Sequence, residues 1–215
     1  ENDGFFKTQE EIDNLDQSAI VPWGALTIVP GWPKYKDLDN DGKILRGQTA
    51  TDPKDLKKIG NSEARYRVGF NMNLKWKGFD LSTFLQGVLK RDYYPTHYLF
   101  WGPYQQPYGN MYPHLFDHYR GVSDSDALRA LHSKSYIDAG LADANLDAEY
   151  PVLQGWLADV NTGQGLSIPQ SKYLLNAAYL RVKNVTFGYS LPSKVVDRIK
   201  VSKLRFYISG ENLYE

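Results

Sequence analysis

The chain has no cysteine among its 215 residues, which excludes disulfide frameworks, thiolate metal sites and cysteine nucleophiles. It has no surplus of charge either: 25 basic and 25 acidic side chains cancel, so no general attraction to nucleic acid or anionic lipid follows from composition. No run of about 18 apolar residues occurs, which excludes a transmembrane helix. That absence says nothing against a membrane barrel, whose strands alternate and never look hydrophobic in a window average. The opening ENDGFFKTQEE lacks the basic and apolar regions of a signal peptide. Enzyme signatures are missing too. There is no GxSxG, no HExxH and no phosphate loop, and Gly163 to Gly165 is too short for a dinucleotide fingerprint. The expectation is a protein that is not an enzyme.

What the chain does have is aromatic side chains, 14% of its residues with 16 Tyr and 5 Trp. Such a content suits sheet surfaces, membrane interface belts or sugar-stacking platforms. From Arg65 to Lys77 the even positions Tyr66, Val68, Phe70, Met72, Leu74 and Trp76 are apolar, and the odd ones are Arg, Gly, Asn or Lys. Period 2 over that length predicts a strand with one apolar and one polar face. Ordinary strands run about 5 or 6 residues, whereas a tilted membrane strand needs about 9 to 11. After Lys77 and Gly78 the alternation restarts with Phe79, Leu81, Leu85 and Leu89, although Phe84 and Val88 blur the polar side; the two segments predict a long hairpin with a tight turn.

A third strand is expected within Lys172 to Leu191, where Leu180 and Val182 share one phase and Val185, Phe187 and Tyr189 the other. That phase change predicts a bulge near Asn184 or a strand leaving the membrane. A fourth is expected from Lys203 to Asn212 after the short bridge Pro192 to Ser202, with Leu204, Phe206 and Ile208 on one side. Between the pairs lies a long segment in which Tyr93 to Tyr119 interleaves aromatics with Pro95, Pro103, Pro107 and Pro113, a density that forbids regular structure over most of it. Ser123 and Asp126 then have capping-box spacing and predict a short helix. The expected organisation is a loop region with a short helix over 1–62, a transmembrane hairpin over 63–91, a long loop over 92–171, and two further strands over 172–215. Short turns on one side and long loops on the other are the asymmetry of outer-membrane barrels, with the long loops outside the cell.

Two candidate sites stand out. In YKDLDNDGKI, Asp37, Asp39 and Asp41 precede Gly42 and the Lys43 carbonyl with the spacing of a calcium loop. Position 12, which in an EF-hand is a bidentate Glu, is Gln48, so Asp52 or Asp55 has to complete the shell; the competing reading is an Asp/Asn/Gly turn that binds nothing. In the aromatic segment, Tyr98, Trp101, Tyr104, Tyr108 and Tyr112 are candidates for stacking on a sugar, against a self-packed loop whose aromatics form their own small core. His114 and His118 are four apart and share a metal only if helical, which Pro113 opposes.

The fragments DGFFKTQEEID, KYKDLDNDGKI, IGNSEARYRVGFNMNLKWKGFDLSTFLQG, AEYPVL, YLRVKNVTFGYSLP and LRFYISGENLY, in this order, resemble the C-terminal part of the SusC/RagA-like TonB-linked outer-membrane proteins of Bacteroidetes. The resemblance spans nearly the whole chain except roughly 92–146. It departs from the family pattern at Asp55, Leu56 and Lys57 after the acidic loop, and at Ser62 in IGNS. It implies an all-β fold: a partial antiparallel transmembrane barrel, one piece of a 22-stranded barrel with a plug, in the outer membrane. It also implies import of oligosaccharides or peptides with a SusD-like lipoprotein as cap and TonB as drive, the latter through a segment absent from this chain. By the same comparison the chain is a fragment, and its acidic loop is an extracellular element rigidified by calcium. The alternative is a soluble calcium-stabilised β module that binds glycans at the cell surface. Such a sandwich calls for about seven short strands with frequent turns, which the chain does not show.

Overall fold

The computed structural model describes residues 1–15, 26–121, 129–158 and 165–214. They divide into two units, Glu1–Ile59 with Tyr94–Leu174 and Gly60–Tyr93 with Leu175–Glu215. The two loop stretches expected at 1–62 and 92–171 thus fall largely in one unit.

The loop unit has little regular structure because its prolines interrupt it. Strand β1 (Asn2–Phe5) pairs antiparallel with β2 (Pro33–Tyr35). A helical turn, Gln9–Asp13, starts at Thr8, whose hydroxyl accepts from the Glu11 amide at 3.1 Å. Pro103 and Pro113 lie in the first turns of the 3-10 segments Gly102–Tyr104 and Pro113–Phe116, where a missing N–H costs nothing. Helical turns at Tyr98–Trp101 and Lys134–Asp138 and a 3-10 turn at Gly165–Ser167 also lie in the long loop; the helix start expected at Ser123 and Asp126 lies outside the described residues.

Aromatic burial organises this unit. Trp32, Trp101, Tyr104, Leu115, Leu157 and Leu166 are all 0% exposed and share one core with Phe6, Ile12 and Tyr173. Trp101 meets Tyr173 edge to face at 5.1 Å and Tyr104 at 6.1 Å, the orientation that ring quadrupoles favour. The polar ends of the rings are satisfied. Trp101 Nε1 donates to the Pro95 carbonyl at 2.7 Å, Tyr104 Oη to the Pro151 carbonyl at 2.6 Å, and Trp32 Nε1 to Gln154 Oε1 at 2.7 Å. Gly31 has φ +92, and a Cβ there would stand 2.3 Å from the Tyr119 ring, so only glycine lets the chain pass.

The second unit is built from alternation. Strand β3 (Arg65–Trp76) pairs antiparallel with β4 (Phe79–Lys90), the two joined by Lys77 at φ 45 and Gly78 at φ 91. Two consecutive positive φ values make a turn whose twist matches that of the strands, and it falls at Lys77 and Gly78, where the tight turn was expected. The short strands β5 (Asp92–Tyr93) and β6 (Leu175–Asn176) pair with each other, so the third long strand, β7 (Tyr179–Ser190), begins later than expected. The bridge from 192 to 202 holds two helical turns, Ser193–Val196 and Asp197–Ile199. It leads into β8 (Arg205–Tyr214), and the sheet order is β3-β4-β7-β8.

Register puts the apolar side chains on one face. Phe70 lies opposite Leu85, Leu74 opposite Leu81, and Trp76 opposite Phe79. Phe79 in turn lies opposite Tyr189 and Leu81 opposite Phe187, and those two lie opposite Phe206 and Ile208. On β7, Asn184 pairs with Phe84 and Val182 with Leu85, so Lys183 is the extra residue of a bulge. One inserted residue reverses the phase, and that reversal returns Val182 and Leu180 to the face of Val185 and Phe187. The bulge expected near Asn184 is therefore at Lys183, and its side chain donates to Asn212 Oδ1 at 2.7 Å.

Loss of the central ring of the loop core has a definite expected cost. Trp101→Ala should destabilise the loop unit by about 3 to 5 kcal/mol, read by denaturant unfolding, and a cost under about 1 kcal/mol would mean that the core is not closed around this residue.

Candidate functional site

The acidic loop is ordered by its own carboxylates. Asp37 Oδ1 accepts from the Asn40 amide at 2.6 Å and Oδ2 from the Gly42 amide at 2.8 Å, and Asp41 Oδ1 accepts from the Lys43 amide at 2.9 Å. The last of these, two residues on, is an Asx turn, and the Asp37 carboxylate spans the rest of the loop. Asp55 arrives from the far side of the loop, buried, and accepts from the Leu38 and Leu45 amides at 2.6 Å each. Oxygens of Asp37, Asp39 and Asp55 all lie within 4.8 Å of one another. Calcium takes oxygens at about 2.3 to 2.6 Å, and three carboxylates at this spacing fit around one such ion. Asp41 is not part of that cluster; Lys54 Nζ sits 4.0 Å from Asp39 Oδ2 and 3.9 Å from Asp41 Oδ2. Of Asp52 and Asp55, the two expected substitutes for the missing EF-hand Glu, Asp55 is the one whose carboxylate the fold brings to Asp37 and Asp39.

The stacking candidates separate by burial. Trp101 and Tyr104 are core residues, as the self-packed reading of this loop anticipated, and no ligand reaches them. Tyr98 and Tyr108 are exposed, at 54% and 77%, and Tyr112 packs partly against the core. His114 and His118 do not converge on a metal. His114 Nε2 lies 3.0 Å from the Phe100 carbonyl and His118 Nδ1 2.9 Å from that of Leu115. Burial holds the His118 imidazole below its ordinary pKa, favouring the neutral form, and it raises the phenols of Tyr35, Tyr94, Tyr104 and Tyr173.

On the sheet, the two faces differ in kind. The apolar face is open: Trp76 is 68% and Ile208 72% exposed, far from the burial that a water-soluble core would give. On the polar face Arg205 grips Asp80 with Nε to Oδ1 at 3.0 Å and a second guanidinium nitrogen to Oδ2 at 2.5 Å. The guanidinium crosses over Gly188, where a Cβ would stand 2.5 Å from it. Phe84, out of phase among polar residues, lies over Gly69, where a Cβ would stand 3.5 Å from its ring.

Zero net charge conceals a separation that the composition missed. The sheet unit carries 13 Lys and Arg against 6 Asp and Glu, and the loop unit 12 against 19. Counting charge over the strand-forming segments rather than over the chain would have found it.

No family model matches the chain. In sequence it is similar to the TonB-dependent receptor P3 of Formosa agariphila, 24% identical over 214 residues that cover 94% of this chain and 17% of that protein. Solved structures with a similar part include the RagAB peptide importer in the 'closed-closed' state, at 18% identity and TM-score 0.47, and in the 'open-open' state, at 18% and 0.42. Each covers 86% of this chain and 17% of that one. The chain thus spans less than a fifth of the length of the proteins it matches.

The role of Asp55 inside the acidic loop can be read amide by amide. Asp55→Ala removes a charged acceptor from two backbone N–H groups, so Leu38 and Leu45 should exchange hydrogen about 100-fold faster, the equivalent of roughly 3 kcal/mol. Unchanged exchange would show that the loop is held by other contacts.

Proposed function

We propose that this chain, a segment related to the TonB-dependent receptors of the bacterial outer membrane, forms part of the wall and the outer loops of an importer for large nutrients. The observation that carries the reading is the exposed apolar face, continuous over four strands, three of them 12 residues long and one 10. Tilted membrane strands need about 9 to 11 residues, and soluble strands average about 5 or 6. Both outer strands of the sheet, β3 and β8, leave one edge without a partner among the described residues, which suits a sheet that continues into further strands of a barrel. The polar face then lines the interior, and Lys77–Gly78 and the bridge 192–202 lie at the periplasmic end.

The loop unit contributes to the outer surface. Exposed Tyr98 and Tyr108 are its candidates for contact with an oligosaccharide or peptide, and the same surface is the candidate contact for a SusD-like lipoprotein. Energy comes from TonB acting on a segment outside this chain. Oligosaccharide and peptide are the two cargoes that the resemblance to the SusC/RagA-like proteins implies. Asp37, Asp39 and Asp55 would hold a calcium ion whose charge offsets the three carboxylates and braces the loop. Its role there is structural.

Three measurements test these assignments. The gene product should be found in outer-membrane fractions at several times the mass of this chain and with a co-purifying lipoprotein; a soluble product of this size would overturn the importer. Phe70→Arg should cost about 2 to 4 kcal/mol for folding of the full-length product into lipid vesicles if Phe70 lies near the bilayer midplane, and a neutral substitution would contradict that placement. Calcium should raise the melting temperature of the protein over that in EGTA, and Asp39→Asn should abolish the difference; equal melting with and without calcium would leave the loop a turn.

A further inference from the structure

The fold of the loop unit uses one ring nitrogen of His118 and leaves the other. The residue is only 6% exposed, and its Nδ1 lies 2.9 Å from the Leu115 carbonyl. A carbonyl can only accept, so Nδ1 carries the proton and Nε2 of the neutral ring is a bare acceptor. No partner meets Nε2 among the described residues. Arg120 leaves a complementary group. Its Nε donates to the Asp143 carbonyl at 2.8 Å and its Nη1 to the carbonyls of Phe116 at 2.9 Å and His118 at 3.3 Å, while Nη2 meets no partner among the described residues.

Both side chains line one groove of about 440 Å³ on the loop unit, together with His132, Tyr136, Val29 and Val152. His132 is exposed and Tyr136 half-buried, and their rings stack with centroids 4.6 Å apart and planes at 25°. No carboxylate stands among the described residues that line the groove. A buried acceptor of fixed tautomer, a held donor and a ring surface in one concavity suit a ligand that carries adjacent hydroxyls on an apolar ring. One hydroxyl donates to Nε2, a neighbouring oxygen accepts from Nη2, and the C–H face covers the aromatic pair.

The main chain at these positions is already engaged. The amides of Tyr119, Arg120 and Val152 donate to the carbonyls of Tyr150, Asn145 and Gly31, and Asn145 donates to the carbonyls of His118 and Arg120. An extended peptide, which pairs with main-chain groups along an edge, finds these groups taken. A saccharide, which pairs with side chains, does not need them.

We propose that this groove binds a saccharide, with His118 and Arg120 pairing with adjacent hydroxyls of a pyranose and the rings of His132 and Tyr136 stacking on its face. The proposal rests on the importer reading only in that a cargo is bound. It adds a choice between the two cargoes and a site apart from the outward-facing Tyr98 and Tyr108.

The test titrates the full-length product in detergent with oligosaccharides cut from glucan, xylan, mannan and polyuronate, and with short peptides, and reads binding by calorimetry. His118→Asn keeps an N–H where Nδ1 stands, and with it the Leu115 contact, but has no atom at Nε2. Tyr136→Ala removes the stacking ring from a helical turn with no buried residue. Each variant should weaken binding of the retained saccharide about tenfold, while the Tyr119 amide, bonded to Tyr150, keeps its slow exchange. Binding of no saccharide in the panel, or an affinity unchanged in either variant, would overturn the proposal. So would tighter binding of the peptides, and so would a loss confined to the pair Tyr98→Ala with Tyr108→Ala, which would put the sugar on the outward rings. Failure of the importer reading shows separately, as a soluble product of this chain's size; saccharide binding that is lost in the two groove variants would then assign the groove to a surface glycan-binding module.

Discussion

One extra residue in β7 keeps the apolar face of the sheet whole. Without the bulge at Lys183, the strand that carries Val185, Phe187 and Tyr189 on the apolar side would turn Leu180 and Val182 to the polar side, because side chains alternate with period 2. The face would then be broken across its middle, and a long apolar surface would serve neither a core nor a bilayer. With the bulge, β3, β4, β7 and β8 present one apolar sheet, and the residues opposite them, Lys75, Asp80, Arg205 and their neighbours, gather on the other side. The separation of faces, the Arg205 to Asp80 ion pair over Gly188 and the ring cluster at Phe79 all depend on that register.

The loop unit solves a different problem. It contains too many prolines for ladders of backbone hydrogen bonds, so its order comes from rings packed edge to face and from side chains that take up backbone amides. Trp101, Tyr104 and Trp32 bury their rings while their N–H and O–H groups meet carbonyl oxygens, and the carboxylates of Asp37 and Asp55 do the same service for amides. A long connection with little regular secondary structure can hold a shape in this way, and it leaves a minority of its aromatics, Tyr98 and Tyr108 among them, facing outward. The negative charge of this unit and the positive charge of the sheet unit cancel in the sequence as a whole, which is why net charge was uninformative about either.

The strands were legible because alternation over a dozen residues has no competing explanation, and the bulge was legible as a change of phase near Asn184. Strand ends were less so: β7 starts at Tyr179 because the stretch before it pairs with β5, a long-range choice that no local pattern encodes. The stacking set was legible only as a choice between platform and core, since a Tyr in a proline-rich loop reads the same whether it is buried or exposed; burial is decided by partners such as Leu157 and Leu166, far away in the chain. In the acidic loop the spacing pointed to Asp37 and Asp39, but Asp55 enters the cluster because the chain doubles back after Gly47, and Asp41 turns to the Lys43 amide instead.

The central claim is that one face of β3 meets lipid and the other does not. Because this chain contains no cysteine, single cysteines placed in turn at 67 through 75 in the full-length product, spin-labelled and read for contact with oxygen and with a water-soluble nickel chelate, test it directly. The account predicts that labels at 68, 70, 72 and 74 favour oxygen and those at 69, 71 and 73 favour nickel. Loss of the alternation, or its reversal, would contradict it.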